Sequence, residues 1–173
     1  FRLHKGVRWH DGQPFTSADV RVSLERMINP PRGVRSARSE DFAAVDKVEA
    51  PDESTARIIL RYPSAYLMPI LSIPWTVMYA KHFVDTKDPR REVMGTGPFK
   101  FKSYTTGVSI EMVKNPNYFV KGRPYLDGIE FYIIKDAATR LAAFRTGRVK
   151  CTAPGAAGIS PSEAQLLKTV MPN

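Results

Sequence analysis

The sequence predicts an α+β chain, with a small α+β lobe over residues 1–122 followed by the start of an α/β lobe over residues 123–173. Three observations carry that prediction. The chain opens on a strand–turn–helix pattern. Two stretches of alternating apolar and polar residues then fold back across turn residues. From Gly128 onward a strand, a capped helix, a short strand and a second capped helix follow one another.

Residues 1–9 read as a strand that stops at Asp11-Gly12, a turn dipeptide in which glycine accepts positive φ and aspartate can hydrogen-bond its own backbone. Thr16 stands at an N-cap position, with Asp19 three residues on and Val20, Leu24, Met27 and Ile28 at helical spacing, so residues 17–28 are a helix. Residues 29–44, rich in Pro, Arg and Ser, are an irregular connection. Alternation over 45–50 and 55–61, on either side of Pro51-Asp52-Glu53-Ser54, predicts a hairpin. Ser64 is placed to cap a short apolar helix through Tyr66, Leu67, Ile70 and Leu71 that Pro74 ends. A short strand at 75–79 and a polar connection through 85–92 follow.

Gly95-Thr96-Gly97-Pro98 opens a second antiparallel pair, with Phe99 and Phe101 on one face, Thr106-Gly107 as the turn, and Ile110 and Met112 on the return strand. Pro98 and the strand pattern behind it replace the helix N-terminus that a phosphate loop requires. Ile129–Ile134 reads as an apolar strand. Asp136 caps a helix through Arg140, Leu141 and Phe144, with Gly147 as its C′ residue. Residues 149–153 read as a short strand, and Ser160-Pro161-Ser162-Glu163 starts a last helix. This order suggests a partly parallel second lobe.

Of the 173 residues, 43% are hydrophobic and 25% charged, the proportions of an ordinary globular protein. No run of about 18 apolar residues is present to span a bilayer, and no basic segment followed by an apolar stretch reads as a signal peptide. The opening at Phe1-Arg2-Leu3 and the close at Met171-Pro172-Asn173 lead to the expectation of a slice of a longer protein. The single cysteine, Cys151, excludes an internal disulfide. A formal charge of +9 raises the alternative of a basic domain that binds nucleic acid or another polyanion. Against it, the cations are dispersed, and the densest group is Arg32, Arg35 and Arg38 in the connection after the first helix.

No constellation points to catalysis or to a metal. His4, His10 and His82 are widely separated, with no i,i+4 ligand pair on a helix. There is no Gly-x-Ser-x-Gly elbow, His-Glu-x-x-His or Ser-x-x-Lys in a suitable context. Asp11, Asp19, Asp41, Asp127 and Asp136 fall mostly at turns and caps, which explains them without general acid–base chemistry. The expectation is a protein that is not an enzyme and has no cofactor.

Four blocks, in order, resemble one known family. They are Phe1–Val20 around Gly6-Val7-Arg8-Trp9-His10-Asp11-Gly12, then Gly95-Thr96-Gly97-Pro98-Phe99, then Lys114-Asn115-Pro116-Asn117-Tyr118-Phe119 with Arg123–Ile129, then Asp136–Gly147. Together they are similar to the family 5 extracellular solute-binding proteins, the peptide- and nickel-type receptors of ABC importers. One departure is Lys150, where that family usually carries an acidic residue.

The resemblance implies a type II periplasmic-binding-protein fold and a fragment of a periplasmic or extracellular receptor. Such a receptor captures a peptide or similar small polar solute in an inter-lobe cleft and delivers it to a membrane permease. It also implies that the loop after the first helix and the segment before the Gly-Thr-Gly-Pro turn face the cleft. Here these carry Arg35 and Arg38, and Trp75, Thr76 and Val77. Arginine offers a planar fork to a carboxylate and tryptophan an apolar wall. The alternative reading of the same residues is solvated loop arginines and a core Trp75. Trp9 and Tyr118 are read as packing residues.

Overall fold

The computed structural model describes residues 1–89, 91–152, 158 and 160–170. By packing, the chain divides into two units, Phe1–Lys102 with Met112–Ile129, and Ser103–Glu111 with Glu130–Asn173.

The first unit is built on a helix laid over a hairpin. Helix α1 (Ser17–Ile28) turns Val20, Leu24 and Met27 onto strands β1 (Val45–Asp52) and β2 (Thr55–Leu60). These strands pair antiparallel, from Val45 opposite Leu60 to Asp52 opposite Thr55. The core is completed by Phe42, Val45, Val48 and Ala56, with Leu67, Ile70 and Leu71 of helix α2 (Leu67–Ser72) packed against it. Phe42 sits on one turn of 3-10 helix at Glu40–Phe42, inside what the sequence reads as an irregular connection. A second cluster gathers Trp9, Ala80 and Phe83, the last from helix α3 (Lys81–Val84).

One buried carboxylate ties these parts together. Asp19 Oδ2 accepts from the Thr16 backbone N–H at 2.7 Å and the Trp9 indole N–H at 3.2 Å, and Oδ1 accepts from the Lys81 N–H at 2.8 Å. The expected cap of α1 is therefore present in its carboxylate half. The Thr16 hydroxyl also turns to Asp19, at 3.3 Å. Asp19 thus serves the start of α1 and the start of α3 at once.

Strand β3 (Phe99–Thr105) and strand β4 (Ser109–Lys114) form the second hairpin, turning at Gly107 with φ of 72°. Strand β5 (Gly128–Tyr132) completes the order β3-β4-β5. It runs against β4: the Lys114 N–H meets the Asp127 carbonyl at 2.8 Å at one end, and the Ile133 N–H meets the Val108 carbonyl at 2.8 Å at the other. Helix α4 (Ala137–Arg145) starts at Asp136, whose Oδ1 accepts from Thr139 N–H at 2.7 Å, and closes at Gly147 with φ of 71°. Helix α5 (Pro161–Val170) begins in a reciprocal box. The Ser160 N–H donates to Glu163 at 2.7 Å, and the Glu163 N–H donates back to the Ser160 hydroxyl at 3.3 Å.

Gly128 is a packing requirement: a Cβ there would lie 2.7 Å from the Met112 carbonyl oxygen, inside van der Waals contact with fixed backbone. Gly128→Ala is therefore expected to cost about 1–3 kcal/mol through a forced shift between β4 and β5. Urea denaturation checks this, and an unchanged midpoint would refute it.

Several expected elements take another form. Residues 1–9 make isolated bridges, Arg2 with Thr55 and Arg8 with Pro14, because Gly6 at φ of 78° breaks the pleat between them. Residues 75–79 are not a strand. The Tyr79 N–H donates to the buried Ser23 hydroxyl at 2.7 Å, so a side chain replaces the ladder. Helix α2 starts without a Ser64 cap and places Pro69 in its first turn, where a missing N–H costs nothing. Helix α3 falls where no helix was predicted. Among the described residues, pairing in the second sheet is antiparallel, and 149–152 form no strand because the Val149 N–H returns to the Ala143 carbonyl at 3.1 Å behind α4. Ala153, the end of that expected strand, lies outside the described residues.

Candidate ligand-facing surface

The exposed side chains of the expected site are set by the chain reversal that follows α2. Thr76 is fastened inward: its hydroxyl donates to the Ile70 carbonyl at 2.7 Å and its N–H to the Ile73 carbonyl at 3.1 Å. Its neighbours then face out, Trp75 at 75% exposed and Val77 at 44%. The core alternative for Trp75 is overturned, since an indole so exposed contributes little to packing. Tyr66 and Met68, at the start of α2, are exposed as well, and sequence reasoning did not single them out as surface residues. Their signal was available: on a short helix that turns the half-buried Leu67, Ile70 and Leu71 to the core, positions 66 and 68 fall on other faces.

In the loop after α1, Arg35 is exposed and makes no ion pair among the described residues. Arg38 is half-buried, with its guanidinium paired to Asp41 beside the 3-10 turn on which α2 packs. Arg38 is thus partly committed to holding its own loop, while Arg35 keeps its fork open. Trp9 is buried and Tyr118 half-buried, its ring centre 4.7 Å from that of Phe119 with the planes tilted by 58°.

A shallow groove of about 390 Å³ lies elsewhere in the same unit, lined by Phe99, Tyr118, Val120, Tyr125 and Leu126, with the Arg123 guanidinium 3.9 Å from the Tyr125 ring centre. Of these, the sequence reads Tyr118 as a packing residue and Phe99 as one face of a strand, and gives Val120, Tyr125 and Leu126 no role.

The first three sequence blocks meet in one place. His10 N–H donates to the Gly95 carbonyl at 2.9 Å, and its Nε2 lies 3.1 Å from the Gly97 carbonyl, which also accepts from the Asn115 amide at 3.0 Å. Lys100 Nζ donates to the His10 carbonyl at 2.7 Å. Burial holds the His10 pKa below its ordinary value, the Gly97 hydrogen bond opposes this, and the Lys100 charge adds to it. Burial alone would raise Asp11. The Gln13 N–H and the His82 ring, 2.6 Å away, outweigh it and hold the carboxyl below its usual range.

Three further carboxylates have structural partners: Asp41 with Arg38, Asp136 with Thr139, and Asp19 with three N–H groups. Among the described residues, no group of three or more His, Cys, Asp or Glu side chains could hold a metal ion. No described helix is long and apolar enough to cross a membrane.

The fold is that of the periplasmic binding proteins. A structure of MoaA from A. tumefaciens R10 in complex with mannopinic acid superposes with a TM-score of 0.84 at 32% identity, over 99% of this chain and 34% of that one. DppA from Helicobacter pylori, solved in complex with the peptide STSA, superposes at 0.79 with 27% identity, over 98% of this chain and 36% of that one. Residues 1–171 match the family described as bacterial extracellular solute-binding proteins, family 5 Middle, and the chain belongs to that family. The glutathione-binding protein GsiB of Pectobacterium atrosepticum is 33% identical over 155 residues. That stretch is 88% of this chain and 30% of the relative, so the chain spans under a third of that protein's length. These relatives are solute-binding proteins and not enzymes, and the polyanion-binding alternative gains no support from them.

Proposed function

We propose that this chain is part of a non-enzymatic receptor of an ABC importer, working at the outer face of the cell membrane. The receptor captures a peptide or similar small polar solute and hands it to a membrane permease. The observation that carries this reading is the family match across residues 1–171. The peptide STSA in the Helicobacter structure and the mannopinic acid in the Agrobacterium one favour a small polar solute that carries a carboxylate.

Within that reading Arg35 and Arg38 address the carboxylate. Trp75 and Val77 form an apolar wall that Thr76 positions. The exposure of Trp75 supports this assignment, because an indole left in water gains apolar contact when a ligand covers it. The lobe limits at residues 1–122 and 123–173 belong to the same proposal.

The test is calorimetry on a receptor that carries this segment, against di- to pentapeptides, nickel chelates and oligosaccharides, with the 173-residue chain in parallel. Micromolar binding of one solute class is expected for the receptor, and weaker or no binding for the chain alone. Trp75→Ala is expected to weaken that binding at least about tenfold without lowering the unfolding temperature, since the indole is exposed. Indifference of the receptor to every solute, with salt-sensitive DNA binding by the chain, would sink the proposal.

A further inference from the structure

We propose that the contact between the 9–14 turn and the 95–98 segment is a proton-operated joint, held while the His10 imidazole is neutral and loosened when the ring takes a second proton. The inference stands on the first unit alone and does not depend on the receptor reading.

The geometry assigns the neutral tautomer. The Gly97 carbonyl can only accept, so His10 Nε2 carries the hydrogen and Nδ1 the lone pair. The edge of the ring that holds Nδ1 faces the side of Gly95 where a side chain would stand: a Cβ built there would lie 3.2 Å from Cε1 and 3.7 Å from Nδ1. A second proton would be added on that edge, where Nδ1 makes no hydrogen bond among the described residues.

The charges around the ring do not compensate. Lys100 of β3, bonded to the His10 carbonyl, repels an imidazolium. Asp11 of the same turn attracts it, but that carboxylate is already held by His82 of α3 and by the Gln13 N–H. The 95–98 segment carries no charged side chain, and Asn115 brings only a neutral amide to the shared Gly97 carbonyl. Released into water, the ring loses the burial and the Lys100 neighbour that oppose its charge, so the proton prefers the open form.

The sign follows from that preference. The joined ring titrates below the ordinary value of 6.5, so the joint is at full strength above about pH 6.5 and weakens as pH falls through the lower joined value. One proton can change the opening equilibrium by at most about tenfold per pH unit. Acid therefore loosens the joint without removing the His10 N–H bond to the Gly95 carbonyl or the Lys100 bond to the His10 carbonyl.

The test is residue-resolved amide exchange on the 173-residue chain between pH 4.5 and 7.5, read at the His10 and Asn115 N–H groups. Only the first donates across the joint, to the Gly95 carbonyl, and it carries the reading; the second donates to the Pro98 carbonyl from outside the joint and is the reference that should keep its protection. After correction for intrinsic exchange, protection of the His10 N–H in the native sequence should fall below pH 6.5 by up to about tenfold per unit. In His10→Gln, whose amide keeps a donor toward Gly97 without titrating, the profile should be flat. A fall that persists in His10→Gln, or that disappears in His82→Gln, would overturn the proposal in favour of the Asp11–His82 pair, and a flat native profile would overturn it outright. The His10 ring resonances of the native chain give a second reading that needs no variant: a midpoint at or above 6.5 would refute the joint.

Discussion

Asp19→Ala is expected to lower the unfolding free energy by about 3 kcal/mol or more, because it strands several buried donors together. The indole N–H of Trp9 and the backbone N–H groups of Thr16 and Lys81 all converge on this carboxylate, which is 4% exposed. Each buried donor left without an acceptor costs about 1–3 kcal/mol, and a shared acceptor makes the losses cooperative. Asp19→Asn discriminates this account from simple loss of charge. The asparagine oxygen can still serve Lys81, but its NH₂ then faces the donors of Trp9 and Thr16, so less than half of the loss should be recovered. Urea unfolding followed by tryptophan fluorescence measures both variants. A loss under about 1 kcal/mol in the alanine variant would show that water replaces the carboxylate and that the network is not a structural pin.

Phe42→Ala is expected to be comparably severe, at about 3–5 kcal/mol, through loss of transfer free energy and the cavity left behind. Phe42 is 1% exposed and stands among Val20, Leu24, Met27 and Val48, so the ring fills space between α1 and the first hairpin. Phe42→Leu should recover more than half of the loss, because a smaller void costs less. The same denaturation series checks it. A small effect would mean that α1 collapses onto the hairpin, which the packing of this 3-10 turn against both α1 and α2 argues against.

These two residues also mark where the sequence was and was not legible. Helix α1, both hairpins, α4 and α5 follow from caps, turn glycines and periodicity, all of them local signals. Phe42 was hidden because it lies on a single 3-10 turn, too short to show a period. Helix α3 was hidden because Asp19, 62 residues away in sequence, binds its first N–H, so no capping residue precedes it. Residues 75–79 read as a strand from their apolar content, but their backbone is served by Ser23, a partner no local pattern announces. The four sequence blocks identified the family, and three of them converge around His10 and Gly97. The side chains expected to face a ligand were legible only through resemblance, since exposure of Trp75 and engagement of Arg38 by Asp41 depend on how the chain turns after α2 and around residue 41.

The first three residues have a role that their place in the chain conceals. Ala56 N–H donates to the Phe1 carbonyl at 3.0 Å, the Phe1 amino group donates back to the Ala56 carbonyl at 2.8 Å, and Leu3 N–H donates to the Ser54 carbonyl at 2.7 Å. This short stretch therefore occupies the outer edge of β2. Without it, the peptide groups of Ser54 and Ala56 would stand open at that edge to any other chain able to lie alongside. Leu3 packs on the core of the first unit, while its N–H and the Phe1 backbone close this one end of the hairpin edge against strand addition.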